Sequence, residues 1–324
     1  MNTLEFMIRS LRKLNRTVNR NSEKWIDLSR VDYVGQAAND LVRNSIEKND
    51  KGLLVSKFGT IELNAICCCK RVNEGLKLSD YIDYINGKGC IYKHESIKAL
   101  SINAGFFPIS LELQDRFTDL VLRDIKDIDI LGSYVNQESY LEDELRHCKK
   151  IDIYGYCAPF AWNNPWTYEL RGKKVLVVHP FADSIKKQYE NREHIFKDKH
   201  VLPEFEKLIV IKAVQSIAGN GSKTGFADWF EALDYMKSEI DKCDYDIALI
   251  GCGAYGMSLA AHCKRQGKIA IHMASWVQML FGIYGQRWAV DQPEYSSFIN
   301  KYWVRPSESE RPKNLELVEK GAYW

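Results

Sequence analysis

The chain has 324 residues, with 45 lysines and arginines against 43 aspartates and glutamates, a net charge of only +2. That balance gives no support to a general nucleic-acid binder. An apolar fraction of 45% with 12% aromatics excludes wholesale disorder. No run of 18 apolar residues offers a membrane span, and the N-terminus lacks the apolar core of a secretory signal. Nine cysteines, three of them consecutive at 67–69, have neither a disulfide-framework nor a zinc-site spacing; they read as buried or free thiols in a reducing, cytoplasmic compartment.

In chain order, residues 1–24 come first. Leu4, Met7, Ile8, Leu11, Leu14 and Val18 fall at helical spacing among Arg9, Arg12, Lys13, Arg16, Arg20 and Lys24. Two readings are open: a basic amphipathic helix on an anionic membrane surface, or an ordinary helix docked on the body with a solvated basic face. The second is the more ordinary. Leu53–Phe58 then reads as a buried strand between Gly52 and Gly59, followed by a helix over 61–72. Residues 77–150 look helical. Strand-like runs follow at 150–155, 173–181, 206–214, 245–253 and 268–274, with helical patterns at 183–197, 226–242 and 256–266. Apolar strands alternating with helices predict an α/β, Rossmann-like, mostly parallel sheet covered on both faces. The expected organisation is an N-terminal helical region (1–49), a main domain (50–290) with a helical insertion at about 77–150, and a C-terminal tail (291–324) in which 305–314 is a surface loop.

Four constellations could carry chemistry. The turn from Gly251 through Cys252, Gly253, Ala254 and Tyr255 to Gly256 is a GxGxxG between a strand and a helix, where backbone N–H groups and a helix N-terminus can receive a phosphate. The carboxylate expected about 20 residues later in a nicotinamide site is missing; the second strand ends instead at His272, suited to a metal or a phosphate. Glu62 follows the Phe58-Gly59-Thr60 turn, where a carboxylate can hold a divalent cation. His179 and Asp183 follow another strand and could act as base and partner, with Arg192 on the next helix as a phosphate contact. Asp228 and Glu231 open a helix after a Gly/Ser-rich loop at 218–225 that could close over a ligand. Trp276, Phe281, Trp288 and Trp303 read as packing. No GxSxG, HExxH or P-loop is present.

The turn "KFGTIE" resembles the Arg-Phe/Tyr-Gly-Asp-x-Glu signature of the GT-D glycosyltransferases, and "LIGCGAYGMSLAAHCKRQGKIAIHMASWVQMLFG" resembles that family's closing unit. Together with "HPF" at 179–181, "VQS" at 214–216 and "FGIYGQRW" at 281–288, the likeness spans roughly residues 50–290 and points to a bacterial surface-polysaccharide subgroup. It implies a glycosyltransferase, hexosyltransferase in type, that uses a nucleotide diphosphate sugar, usually UDP-linked, with Mn²⁺ or Mg²⁺. Its partners would be a glycan or lipid-linked acceptor, not nucleic acid, at the inner face of the membrane. In the signature an Asp and a Glu hold the metal. Here Glu62 matches the Glu, Thr60 stands in place of the Asp, and Lys57 in place of the Arg. A hydroxyl cannot supply a carboxylate's charge, so metal binding is expected to be weaker or to rely on Glu62, diphosphate oxygens and water, and the expected metal ligands on the chain are Glu62 and His272. The expected catalytic residues are Glu62, His179 and Asp228. The expected nucleotide site is Phe58, Gly59, Thr60, residues 251–256 and His272. Two alternatives stay open: a non-catalytic nucleotide-sugar-binding partner of a glycan-assembly complex, and a nucleotide-dependent oxidoreductase.

Overall fold

The computed structural model describes residues 3–18 and 30–324; the predicted basic residues Arg20 and Lys24 lie outside them. Seven parallel strands form one sheet in the order β3-β2-β1-β7-β6-β4-β5. They are β1 (Leu53–Ser56), β2 (Ile130–Ser133), β3 (Lys149–Asp152), β4 (Lys174–His179), β5 (Lys207–Lys212), β6 (Ile247–Ile250) and β7 (Ile269–His272). The predicted α/β, parallel-sheet class is the one observed.

Burial explains why the strands lack an apolar/polar alternation. Both faces of the sheet are covered, so successive residues enter different apolar layers. In β6, Ala248 and Ile250 join one layer, while Ile247 and Leu249 join the other. The first layer is built with α3 (Thr60–Glu74), α5 (Lys93–Ala104), α6 (Leu111–Asp124) and the helices Trp229–Asp241 and Gly256–Arg265. The second contains α2 (Gln36–Glu47) and the helices Ile153–Cys157, Ala182–Glu190 and Trp276–Leu280. The helix after β4 therefore covers one face and the helix after β6 the other, although β4 and β6 are neighbours. This is a topological switch point, where the carboxyl ends of adjacent strands open a crevice.

Several expectations are corrected. Segment 77–150 is not a helical insertion: it supplies β2, which pairs directly with β1. Residues 150–155 do not stay extended. β3 stops at Asp152, whose carboxylate accepts from the Tyr154 N–H and starts the short helix at Ile153. The tail is not separate, because Tyr295 and Trp303 are buried in the second layer. Nor is 305–314 a plain surface loop: Glu310, 2% exposed, accepts from the backbone N–H groups of Asp183 and Ser184 and so caps the helix after β4. All nine cysteines are free thiols, and eight are buried. Among the described residues no helix is long and apolar enough to cross a membrane.

Candidate functional site

A cavity of about 530 Å³ opens at the carboxyl edge of the sheet. Every strand delivers residues to its wall. Lys57 and residues 59–62 follow β1, Tyr134 follows β2, Ile153 and Tyr154 follow β3, and His179–Phe181 leave β4. Residues 214–217 follow β5, Gly251–Gly253 follow β6, and Ala274–Trp276 follow β7. The far wall comes from the other end of the chain, with Arg287, Asp291, Leu315, Val318, Glu319, Tyr323 and Trp324. The volume lies within the range of small-molecule sites.

The β1 corner carries a buried cation and a carboxyl group, Lys57 and Glu62. Lys57, 8% exposed, places its ammonium 5.0 Å from the centre of the Tyr134 ring and forms no ion pair among the described residues. Tyr134 is fixed by donating its hydroxyl to the Phe58 carbonyl at 2.7 Å. Glu62 stands in the first turn of α3, which begins at Gly59 without a side-chain cap. Burial pushes the Glu62 carboxyl above the usual range. Its own backbone N–H and the Lys57 ammonium pull it down, while Glu319 across the cavity pushes it up. The carboxylate folds back over Gly59, and a Cβ there would overlap it.

His179 occupies the β4 corner. Its Nδ1 accepts from the Phe181 N–H at 3.0 Å, so the neutral ring carries its proton on Nε2. Burial depresses its pKa from 6.5 to about 3. In this tautomer His179 is a hydrogen-bond donor at Nε2, not the proton acceptor expected from the sequence. Asp228 is also reassigned. It caps the helix Trp229–Asp241 by accepting from the Glu231 N–H at 2.8 Å, and it does not line the cavity. Asp183 is exposed at the start of its helix, and Arg192 pairs with Glu204; neither lines the cavity.

The glycine turn lines the cavity through Gly251, Cys252, Gly253 and Tyr255. Its glycines, however, are required by the protein's own packing. A Cβ on Gly251 would overlap the Ala274 carbonyl oxygen and come within 3.0 Å of His179. Gly253 has φ +60°, and its Cβ would stand 2.8 Å from the Ala104 carbonyl oxygen. A Cβ on Gly256 would overlap Nε2 of His272. That ring points away from the cavity into the helix layer. Its Nδ1 lies 3.0 Å from the Ser56 hydroxyl, its buried Nε2 has no hydrogen-bond partner among the described residues, and burial lowers its pKa to about 3. The side chains of Phe58 and Ala254 belong to the core. Phe58, Ala254, Gly256, His272 and Asp228 therefore leave the predicted site. Gly59, Thr60, Glu62, His179, Gly251, Cys252, Gly253 and Tyr255 line the cavity.

The donor set does not fit a resident Mn²⁺ or Mg²⁺. Glu62 and His272 do not face a common point, and among the described residues no group of three or more His, Cys, Asp or Glu gathers to hold a metal.

Sequence reasoning missed the far wall. Arg287 begins a single turn of π-helix (Arg287–Asp291), pairs with Glu319, and lies 4.4 Å from the centre of the Tyr323 ring. The Arg287 N–H donates to the Ala322 carbonyl at 2.8 Å, and Trp324 packs edge-on against Phe181 at 5.7 Å. The predicted closing loop at 218–225 is not in the wall; residues 312–324 take that place. Of the four late aromatics expected to be packing, Trp276 alone lines the cavity. Comparison of the chain with protein-family models, with curated proteins and with solved structures finds no match.

Proposed function

We propose that the chain is a glycosyltransferase of the GT-D type that moves a sugar from a nucleotide diphosphate sugar, UDP-linked, to a surface-glycan acceptor. The observation that carries this reading is the buried Lys57 ammonium beside Glu62, with no ion pair among the described residues, in a cavity at the switch point of a parallel sheet. A buried cation that is not held in a salt bridge favours an anionic ligand. Lys57 and the opening turn of α3 receive the diphosphate and stabilise its charge as it leaves. The Nε2–H of His179 donates to a ligand oxygen. Glu62, its proton affinity raised by burial, takes the proton of the acceptor hydroxyl. The wall formed by 312–324 excludes water.

A thermal-shift screen against UDP, GDP, CMP and dTDP sugars and NAD(H), each with and without Mn²⁺, tests the reading. A ligand of the native state at 100 times its Kd adds about 2.7 kcal/mol. One nucleotide sugar should raise the melting temperature. Lys57→Met should abolish the shift, and Glu62→Gln should keep the shift and lose turnover. A shift with NAD(H) alone would refute the proposal. Thr60 in place of the signature carboxylate favours a second reading, a nucleotide-sugar-binding protein without turnover; binding with no product from any acceptor tried would select it.

A further inference from the structure

Helix α1 (Thr3–Val18) attaches to the body largely by its polar residues. Ile8 is buried against Tyr84 and Ile91. Arg9 stacks 4.5 Å from the Tyr92 ring centre and pairs with Glu5 and Glu95. Arg12 lies 4.0 Å over the Tyr84 ring, and Asn15 donates to the Ile85 carbonyl at 3.0 Å. The basic face expected in solvent is thus partly docked, and apolar side chains are outside. Phe6 is 58% exposed, Met7 56%, Leu11 48% and Leu14 65%. Met7, Leu11 and Leu14 are spaced i, i+4, i+7 and form one stripe about 10 Å long.

Charge identifies what covers the stripe. The first 24 residues hold six basic and two acidic side chains, whereas the other 300 hold 39 and 41. The segment is therefore +4 on a body of −2. A second copy seated on the stripe would bring two such segments together, which their repulsion opposes. An anionic lipid surface satisfies both the charge and the apolar stripe, since an interfacial helix lays its apolar side chains into the headgroup boundary while nearby cations attract acidic lipid. We propose that α1 is a peripheral anchor that inserts Met7, Leu11 and Leu14 into an anionic bilayer surface, with Phe6 at its edge and the exposed Lys13 toward the headgroups. This does not depend on the glycosyltransferase reading.

The test is co-sedimentation of the full chain with vesicles of phosphatidylcholine alone and of phosphatidylcholine mixed with phosphatidylglycerol. Binding to the mixed vesicles only, weakened by salt, is expected. A Met7→Ser, Leu11→Ser, Leu14→Ser variant should bind them about tenfold or more weakly with an unchanged melting temperature. Absence of binding, equal binding to both vesicles, or full binding by the variant would overturn the proposal. So would a dimer in sedimentation velocity that the variant abolishes, which would assign the stripe to a second copy.

Discussion

Replacing Gly253 with alanine separates two roles for the glycine turn. If the glycine exists to admit a phosphate, the variant folds normally and binds poorly. The structure gives a different answer, because the added methyl meets the protein itself. An alanine at φ +60° costs about 1–2 kcal/mol. Placing its Cβ 2.8 Å from the Ala104 carbonyl forces the end of α5 to shift, which adds about 1–3 kcal/mol. The expected loss is about 2–5 kcal/mol. Gly267 provides the control: its φ is +77°, and nothing lies within 4 Å of the position a methyl group would take. Gly267→Ala should therefore show only the conformational cost, about 1–2 kcal/mol. Urea unfolding of both variants, compared by midpoint at constant slope, gives the difference directly. Equal losses would mean that the Ala104 carbonyl moves aside freely, and the close-approach argument would be wrong. An unchanged Gly253→Ala stability with lost ligand binding would restore the phosphate role.

The pKa shifts give two pH predictions of opposite sign. Burial raises the Glu62 pKa in the folded state, so its contribution is full below its ordinary value of 4.5 and declines as pH rises through the folded value. Glu62→Gln should raise the melting temperature at pH 7 and change it little at pH 4; a fall at pH 7 would contradict the burial argument. His272 titrates in the folded state at about 3 instead of 6.5, so its contribution is full above pH 6.5 and is lost as pH falls toward 3. His272→Gln should flatten the acid side of the stability curve between pH 6.5 and 3, measured by urea unfolding at fixed pH values, and an unaltered slope would refute this. The Arg287–Glu319 pair is partly exposed and contributes about 0–1 kcal/mol, so Glu319→Gln should leave the melting temperature nearly unchanged. The same variant should increase proteolytic cleavage after residue 311 by loosening the wall, and an unchanged digestion pattern would show that the backbone bonds at Ala322 and Trp324 suffice.

Much of this architecture is legible in the residue pattern because local rules and tertiary context agree. Leu53–Ser56, Lys174–His179 and Ile247–Ile250 are apolar runs between turn residues, and each becomes a doubly buried strand. β2 is hidden because its four residues follow the amphipathic pattern of α6 and a further 3₁₀ turn. Its place beside β1 is secured by Asp129, whose carboxylate accepts from the Leu54 N–H at 2.8 Å across 75 residues of sequence. His272 illustrates strand parity: it stands at the carboxyl end of β7, where ligands bind, but its side chain enters the helix layer and meets Gly256. The far wall is hidden for the same long-range reason. Glu310 lies in a polar stretch, and its partners are backbone groups 126 and 127 residues away.

The wall built from residues 312–324 sets an order of events during synthesis. β7 ends at residue 272, so the sheet and the floor of the cavity can be assembled while the roughly 50 residues that lead to and form the wall are still to be made, an interval of roughly 3–10 s at ordinary translation rates. A chain released before residue 312 would carry all seven strands, Lys57, Glu62 and His179, but not the enclosing side chains of Leu315, Val318, Glu319 and Tyr323. Sheet, floor and charge thus come first on the nascent chain, and enclosure follows as a separate, later acquisition.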